Sequence, residues 1–226
     1  MKRAFDIVAS GLALLLLSPL LLPLVILLRC TGEGEVFYRQ KRVGRGKVPF
    51  DIYKFATMLK DSPNLSGGDI TTADDPRILP LGRFLRNTKI NELPQLLNVV
   101  LGDMSIIGWR PLTPRVADLF PKEHWEALKD WRPGLSGIGS IAFRDEEELL
   151  SGVTDRQSVY LTVIVPYKSA LEIWYAKNCS FWLDMKLIAV TAVSVLNSSY
   201  DFRRSLPGLP PVPAALTALR AARPHA

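Results

Sequence analysis

The longest apolar run in the chain, Ile7 to Leu28, is uncharged and mostly Leu, Ile, Val and Ala. It has about the 20 residues that cross a hydrocarbon core of roughly 30 Å, so a membrane helix is expected. Ser18-Pro19 falls near its centre, where proline removes a backbone donor and crowds the carbonyl four residues earlier, and Pro23 adds a second interruption. Lys2 and Arg3 stand before the run, Arg29 follows it, and a basic stretch begins at Arg39, so the positive-inside bias assigns both ends to one side. A helix that enters, bends at Ser18-Pro19 and returns satisfies that distribution, with Ser18 able to serve a carbonyl freed by the proline. A spanning helix and a cleaved signal peptide are the rivals. The run exceeds a signal core of about 7–15 residues, and no small-x-small cleavage site follows.

Elsewhere the patterning changes period. Val36 to Arg39 alternates like a strand, Gly44-Arg45-Gly46-Lys47 reads as a turn, and Pro49 to Phe55 supplies a second strand, which predicts a small β-hairpin. Asp61 to Asp75 is a polar loop of the length used for lids, and Asp74-Asp75-Pro76-Arg77 reads better as turn chemistry than as a metal pair. Ile90, Leu93, Leu97 and Val100 fall near one helical face, with Pro94 tolerable only in a first turn, so Asn91-Glu92 is expected at a helix N-terminus. Trp125, Leu128 and Trp131 recur at helical spacing and suggest an interfacial anchor, with core packing nearly as good an account. Ser180 to Leu196 is apolar but carries Asp184 and Lys186, which predicts an amphipathic helix lying in the membrane interface. Beyond Leu206, a Pro-rich and Ala/Arg-rich tail is expected to be disordered. The fold class is α+β, mostly helical. Residues 1–30 form the re-entrant membrane helix, 31–205 one domain with interfacial helices, and 206–226 the tail.

The formal charge of +6 favours anionic partners such as diphosphates and acidic lipid headgroups. Nucleic acid is disfavoured, because there is no zinc-finger, bZIP or RNP1 pattern and the N-terminus is hydrophobic. Cys30 and Cys179 lack a CxxC or His-rich context, so neither disulfides nor zinc are indicated. His124 and His225 are the only histidines, which argues against a catalytic triad or a two-histidine metal site. Arg86, Lys89, Glu92, Asp103 and Arg110 lie within one short window. Cations, carboxylates and helix amides in one window suit transfer chemistry on a diphosphate.

Several motifs here resemble those of bacterial sugar transferases, in particular the small monotopic phosphoglycosyl transferases. They are Lys2-Arg3-x-x-Asp6, the Ser18-Pro19 break, Phe37-x-Arg39-Gln40-x-Arg42-x-Gly44, Asn91-Glu92-Leu93-Pro94-Gln95-Leu96, Gly102-Asp103-Met104-Ser105, and Arg110-Pro111. The resemblance runs from Lys2 to roughly Leu196. It implies transfer of a sugar phosphate from a nucleotide-sugar, with UDP the expected nucleotide, to undecaprenyl phosphate at the cytoplasmic face of the bacterial inner membrane. Such a reaction starts polysaccharide or glycoconjugate synthesis. Membrane lipids are further expected partners, and a homodimer is compatible.

By the same resemblance Glu92 is the residue associated with Mg²⁺ and Arg110 contacts phosphate; Arg86 and Lys89, from the same charged window, are further substrate-binding candidates. Asn91 occupies the place where the family has a nucleophilic Asp. An amide oxygen has delocalised lone pairs and no charge to activate, so Asn91 is not expected to form the family's phosphosugar intermediate. Three readings stay open. Glu92 or Asp103 attacks instead; polyprenol phosphate displaces the nucleotide directly, with Asn91 orienting phosphate; or the chain is a silent relative that binds nucleotide-sugar or an assembly partner. Further departures are Ala56 for an arginine, Trp109 for a proline, and an acidic run at Asp145-Glu146-Glu147. Retention of Ser18-Pro19, Arg110-Pro111, Gly134 and Gly137 favours an active, divergent transferase.

Overall fold

A computed structural model of the protein describes residues 1–62, 75–150, 153–197 and 200–222, apart from the side chain of Glu147. The expected lid at residues 61–75 lies almost wholly outside the described residues, as does Asp74. In chain order the elements are α1 (Lys2–Cys30), β1 (Phe37–Val43), β2 (Pro49–Phe55), α2 (Pro80–Asn87), α3 (Gln95–Leu101), β3 (Ser105–Ile107), α4 (Pro114–Ala117), α5 (Lys122–Leu128), β4 (Gly134–Ser136), α6 (Ile138–Ala142), α7 (Glu146–Leu150), α8 (Arg156–Val159), α9 (Val165–Asn178), α10 (Phe181–Leu196) and α11 (Ala214–Ala221). The fold is α+β and mostly helical, as expected. The residues group into two compact units, Arg3–Lys41 with Phe50–Gly102, and Met1–Lys2 with Arg42–Pro49 and Asp103–Ala226.

In the first unit, α1 has a mean hydropathy of 2.7 in its most apolar window, and its middle is bare, with Leu15 and Leu16 exposed. Pro19 has no N–H to give the carbonyl of Leu15, and the Ser18 hydroxyl donates to that carbonyl instead at 2.7 Å. Both ends of the helix are held by the same unit. Arg3 donates to the Val100 carbonyl at 3.1 Å, while Leu21, Leu24, Val25 and Leu28 pack with Phe55 and Leu85. A helix crossing a bilayer would leave its far end beyond about 30 Å of hydrocarbon, so contacts with one unit at both ends are compatible with the expected re-entry.

The strands β1 and β2 form the expected hairpin, with Phe37 stacked on Phe55 at 5.6 Å. The Asn98 side chain accepts from the Tyr53 N–H at 2.9 Å and donates to the Asp51 carbonyl at 2.7 Å, docking α3 against β2. This contact overturns the expected orientation of α3. Its buried face is Gln95, Leu96, Asn98 and Val99, whereas Leu97 is exposed, because the strand's backbone groups require a polar partner. Asp75 is buried and forks onto Arg77, with contacts of 2.6–3.1 Å, and Arg77 also donates to the Ser62 carbonyl. The arginine's hydrogen bonds and charge hold the Asp75 carboxyl down at about 2, a structural ion pair.

The second unit is organised by a parallel pair, β3 on β4, with Ser105 opposite Gly134 and Ile107 opposite Ser136. Three glycines permit the approach. A Cβ on Gly137 would stand 1.8 Å from the Gly108 carbonyl oxygen, one on Gly134 would stand 2.1 Å from the Gly108 nitrogen, and one on Gly108 would stand 2.4 Å from the Arg132 carbonyl. One core, around Leu149, Ile164, Leu171 and Leu187, packs α6, α9 and α10; another gathers Trp109, Leu112, Phe120, Trp125 and Leu128.

Three expectations are corrected in this unit. Trp125 is no interfacial anchor: it is buried, meets Trp109 edge-on at 5.4 Å, and donates to the Ala117 carbonyl. Asp184 does not mark a wetted face of α10. It is buried between Lys2 and the Tyr175 hydroxyl, at 2.6 Å from each, while Trp182, Val193, Val195 and Leu196 point outward. The tail is folded where described, since α11 inserts Leu216 into the larger core and Arg220 donates to the Ala142 carbonyl at 2.8 Å. Apolar residues at Leu206, Leu209, Val212, Leu216 and Leu219 offset the cost of ordering the prolines and alanines.

Candidate active site

The expected site residues divide between the units: Arg86, Lys89, Asn91 and Glu92 in the first, Asp103 and Arg110 in the second. Asn91 and Glu92 do not sit in the first turn of α3. They occupy a 3-10 turn, Ile90–Glu92, joined to α3 through Leu93 and Pro94. Lys89 starts this turn in the left-handed region at φ 59°, a conformation unusual outside glycine, so the chain reverses sharply after α2. Asn91 is thereby turned inward and is 6% exposed, and its amide oxygen has no hydrogen-bond partner. A buried acceptor without a partner costs about 1–3 kcal/mol, which makes it a candidate for a bound donor or cation.

Glu92 is partly open to solvent, and its carboxylate lies 3.4 Å from the Lys54 ammonium on β2. Lys54 is not among the sequence candidates, although it stands in the second expected strand, within Asp51-Ile52-Tyr53-Lys54-Phe55. Arg86 approaches the Met58 sulfur at 3.9 Å, and Lys89 is exposed. Of the expected residues in this unit, the structure thus pairs Glu92 with Lys54 and leaves the Asn91 amide oxygen without a partner. Among the described residues no group of three His, Cys, Asp or Glu side chains forms a metal site. Hard oxygen donors from one carboxylate and an amide suit Mg²⁺, which keeps waters and takes other ligands from substrate phosphates. Glu92 and Asn91 fit such an ion.

In the second unit Arg110 follows β3. Its neighbours Trp109 and Pro111 are buried while Arg110 itself is exposed. The backbone is clamped residue by residue: Gly108 N–H to the Ser136 carbonyl, Gly134 N–H to the Trp109 carbonyl, Arg110 N–H to Glu172 Oε1 at 3.3 Å, and Arg42 to the Pro111 carbonyl. Trp109, a departure from the family pattern, is accommodated by the core and donates from its indole to the Trp131 carbonyl. The acidic departure is also absorbed, because Glu146 contacts the buried Lys168 and Asp145 faces Arg220 at 3.8 Å. Asp103 is half-buried at the start of this segment.

Burial pushes the Glu172 carboxyl up to about 7 and holds the His124 imidazole down at about 4, where the Lys47 charge adds to the depression. Neither residue figured among the sequence candidates. The signal was present, because the helical period of Ile164, Lys168, Leu171, Glu172 and Tyr175 places two charged residues on an apolar stripe.

The first unit thus combines a long apolar N-terminal helix, a β-hairpin and a Glu92–Lys54 pair. The chain belongs to the bacterial sugar transferase family, whose profile matches residues 1–198. It is 36% identical over 207 residues to the exopolysaccharide production protein PSS of Rhizobium leguminosarum bv. phaseoli, covering 89% of this chain and 98% of that protein. It is 34% identical to the undecaprenyl-phosphate glucose phosphotransferase of Komagataeibacter xylinus, covering 84% of this chain but only 35% of that protein. It is 33% identical to the UDP-glucose:undecaprenyl-phosphate glucose-1-phosphate transferase of Caulobacter vibrioides, covering 87% and 70%.

Proposed function

We propose that the protein transfers a sugar phosphate from a UDP-sugar to undecaprenyl phosphate, at the cytoplasmic face of the inner membrane, in exopolysaccharide synthesis. The observation that carries the reading is the Asn91-Glu92 turn, which holds a partly exposed carboxylate beside Lys54 and, on the preceding residue, a buried amide oxygen without a partner. Relatives named for this reaction and for exopolysaccharide production support it. The bare apolar side of α1 and the outward Trp182 and Leu196 of α10 are suited to lipid.

In this reading Glu92 and Asn91 would offer oxygen donors to Mg²⁺, which would supply charge neutralisation of the diphosphate. Lys54, Arg86 and Lys89 attract the donor's phosphates, and Arg110 is a further phosphate-contacting residue. With no carboxylate at position 91, the phosphate of undecaprenyl phosphate attacks the sugar-attached phosphorus directly, and nucleoside monophosphate leaves. The P–O bond formed replaces the P–O bond broken.

The test is to supply purified protein, Mg²⁺ and undecaprenyl phosphate with a panel of nucleotide-sugars and measure released nucleoside monophosphate. Turnover is expected, and Glu92→Gln should lower it by roughly a hundredfold while membrane attachment persists. Donor binding without turnover on any sugar would leave the protein a nucleotide-sugar-binding relative.

A further inference from the structure

Glu172 on α9 is 3% exposed, in the interior of the second unit. Its Oε1 accepts the Arg110 N–H at 3.3 Å, where the carbonyls of β4 no longer reach. Its Oε2 faces His124 Nε2 at 3.6 Å, and His124 Nδ1 lies 3.1 Å from the Ser169 hydroxyl, one turn back on α9. His124 is fully buried and its Nε2 has no hydrogen-bond partner at this distance. Room for the carboxyl is made by α6, because a Cβ on Gly139 would stand 2.6 Å from Oε1.

A buried carboxyl is a costly way to satisfy one backbone amide, since a neutral acceptor avoids the desolvation of its charged form. Its place next to an exposed arginine that the transferase reading assigns to phosphate gives the expense a function. We propose that Glu172 is a positioning residue for Arg110, holding its backbone while its own charge state sets the affinity of that arginine for a phosphate-bearing donor. This rests on the transferase reading for the identity of the donor.

The groups facing Glu172 are the Arg110 backbone and guanidinium from the segment after β3, His124 from α5, Glu146 from α7, the Tyr160 hydroxyl from the π-helical Tyr160–Ile164, and Lys168 on α9 itself. His124 stays neutral near pH 7, burial lowers the Lys168 ammonium, and Glu172, pushed up to about 7, is the carboxyl that changes charge there. Protonated, the carboxyl can offer its O–H to His124 Nε2 while Oε1 keeps the Arg110 amide. Ionised, it faces an Nε2–H tautomer at 3.6 Å, with the Ser169 hydroxyl serving Nδ1, and places a negative charge beside Arg110. Either state holds the backbone, but only the neutral one leaves the guanidinium's field undiminished. Donor affinity is therefore full below about pH 7 and falls as pH rises through it.

Two measurements on the full-length protein in detergent test this. Deuterium exchange at the Arg110 amide should be equally slow in wild type and Glu172→Gln, whose amide oxygen replaces Oε1, and at least roughly tenfold faster in Glu172→Ala. UDP-glucose, whose diphosphate diester does not titrate between pH 6 and 8.5, serves as the binding probe with Mg²⁺. The wild-type Kd should rise roughly tenfold across that range, stay at the low-pH value in Glu172→Gln, and be weak throughout in Glu172→Ala. Equal exchange in all three proteins, or a Glu172→Gln variant that keeps the wild-type pH profile, overturns the proposal. Slow exchange in wild type and Glu172→Gln with no UDP-glucose bound by any form overturns its affinity half and points to a failure of the transferase reading, leaving the hold on Arg110 standing.

Discussion

At the scale of single residues, Asn91 separates this chain from the family pattern most sharply. Its inward pose and partnerless amide oxygen place a ligating or orienting group where the family has a nucleophile. Donor alone should then give no phosphosugar adduct, and nucleotide release should require undecaprenyl phosphate in the same complex. Asn91→Asp puts a carboxylate into a site that already has Lys54 and Glu92, so incubation with donor is expected to yield an adduct detectable by intact-protein mass spectrometry. An adduct on the unmodified protein at Glu92 or Asp103 would refute direct displacement and relocate the nucleophile.

Among the elements, α1 depends on two neighbouring residues acting together. Pro19 removes the donor for the Leu15 carbonyl, and Ser18 supplies another, which lowers the cost of interrupting a helix in hydrocarbon. The anchors at Arg3 and at Leu21 to Leu28 then hold both ends in one unit. Replacing Pro19 with Ala removes the interruption and should shift part of the population to a spanning topology. Cysteine accessibility of tags at residue 1 and near Asp61 reads this directly. Same-side labelling is expected for the wild type and a substantial opposite-side fraction for the variant, whereas opposite sides in the wild type would exclude re-entry.

For the molecule as a whole, the C-terminal segment beyond the family match is part of a core. Leu216 is fully buried beside residues of α6, α9 and α10, and Arg220 caps an α6 carbonyl. Leu216→Ala should destabilise by about 2–5 kcal/mol, the range for truncating a buried leucine. Thermal unfolding in detergent checks it: a melting temperature unchanged from wild type would mean that α11 is not packed in solution. The Leu216→Ala protein should keep the Arg3 and Ser18 contacts of α1, so membrane attachment is expected to survive.

Local chemistry determined much of this protein in advance. The uncharged run with its central Ser-Pro, the alternation around Gly44 to Lys47, and the helical class of the rest all depend on periods and breakers that act over a few residues, and each is present in the structure. Tertiary packing decided what local patterns could not. Asn98 is buried because a strand edge needs its amide, Trp125 is core because Trp109 meets it, and Asp184 is buried because Lys2 and Tyr175 neutralise and bond it. The partners of Arg110 come from Glu172, 62 residues away in sequence, through an approach that three glycines permit. Contacts of that separation are set by which faces bury together, and no window of neighbouring residues encodes them.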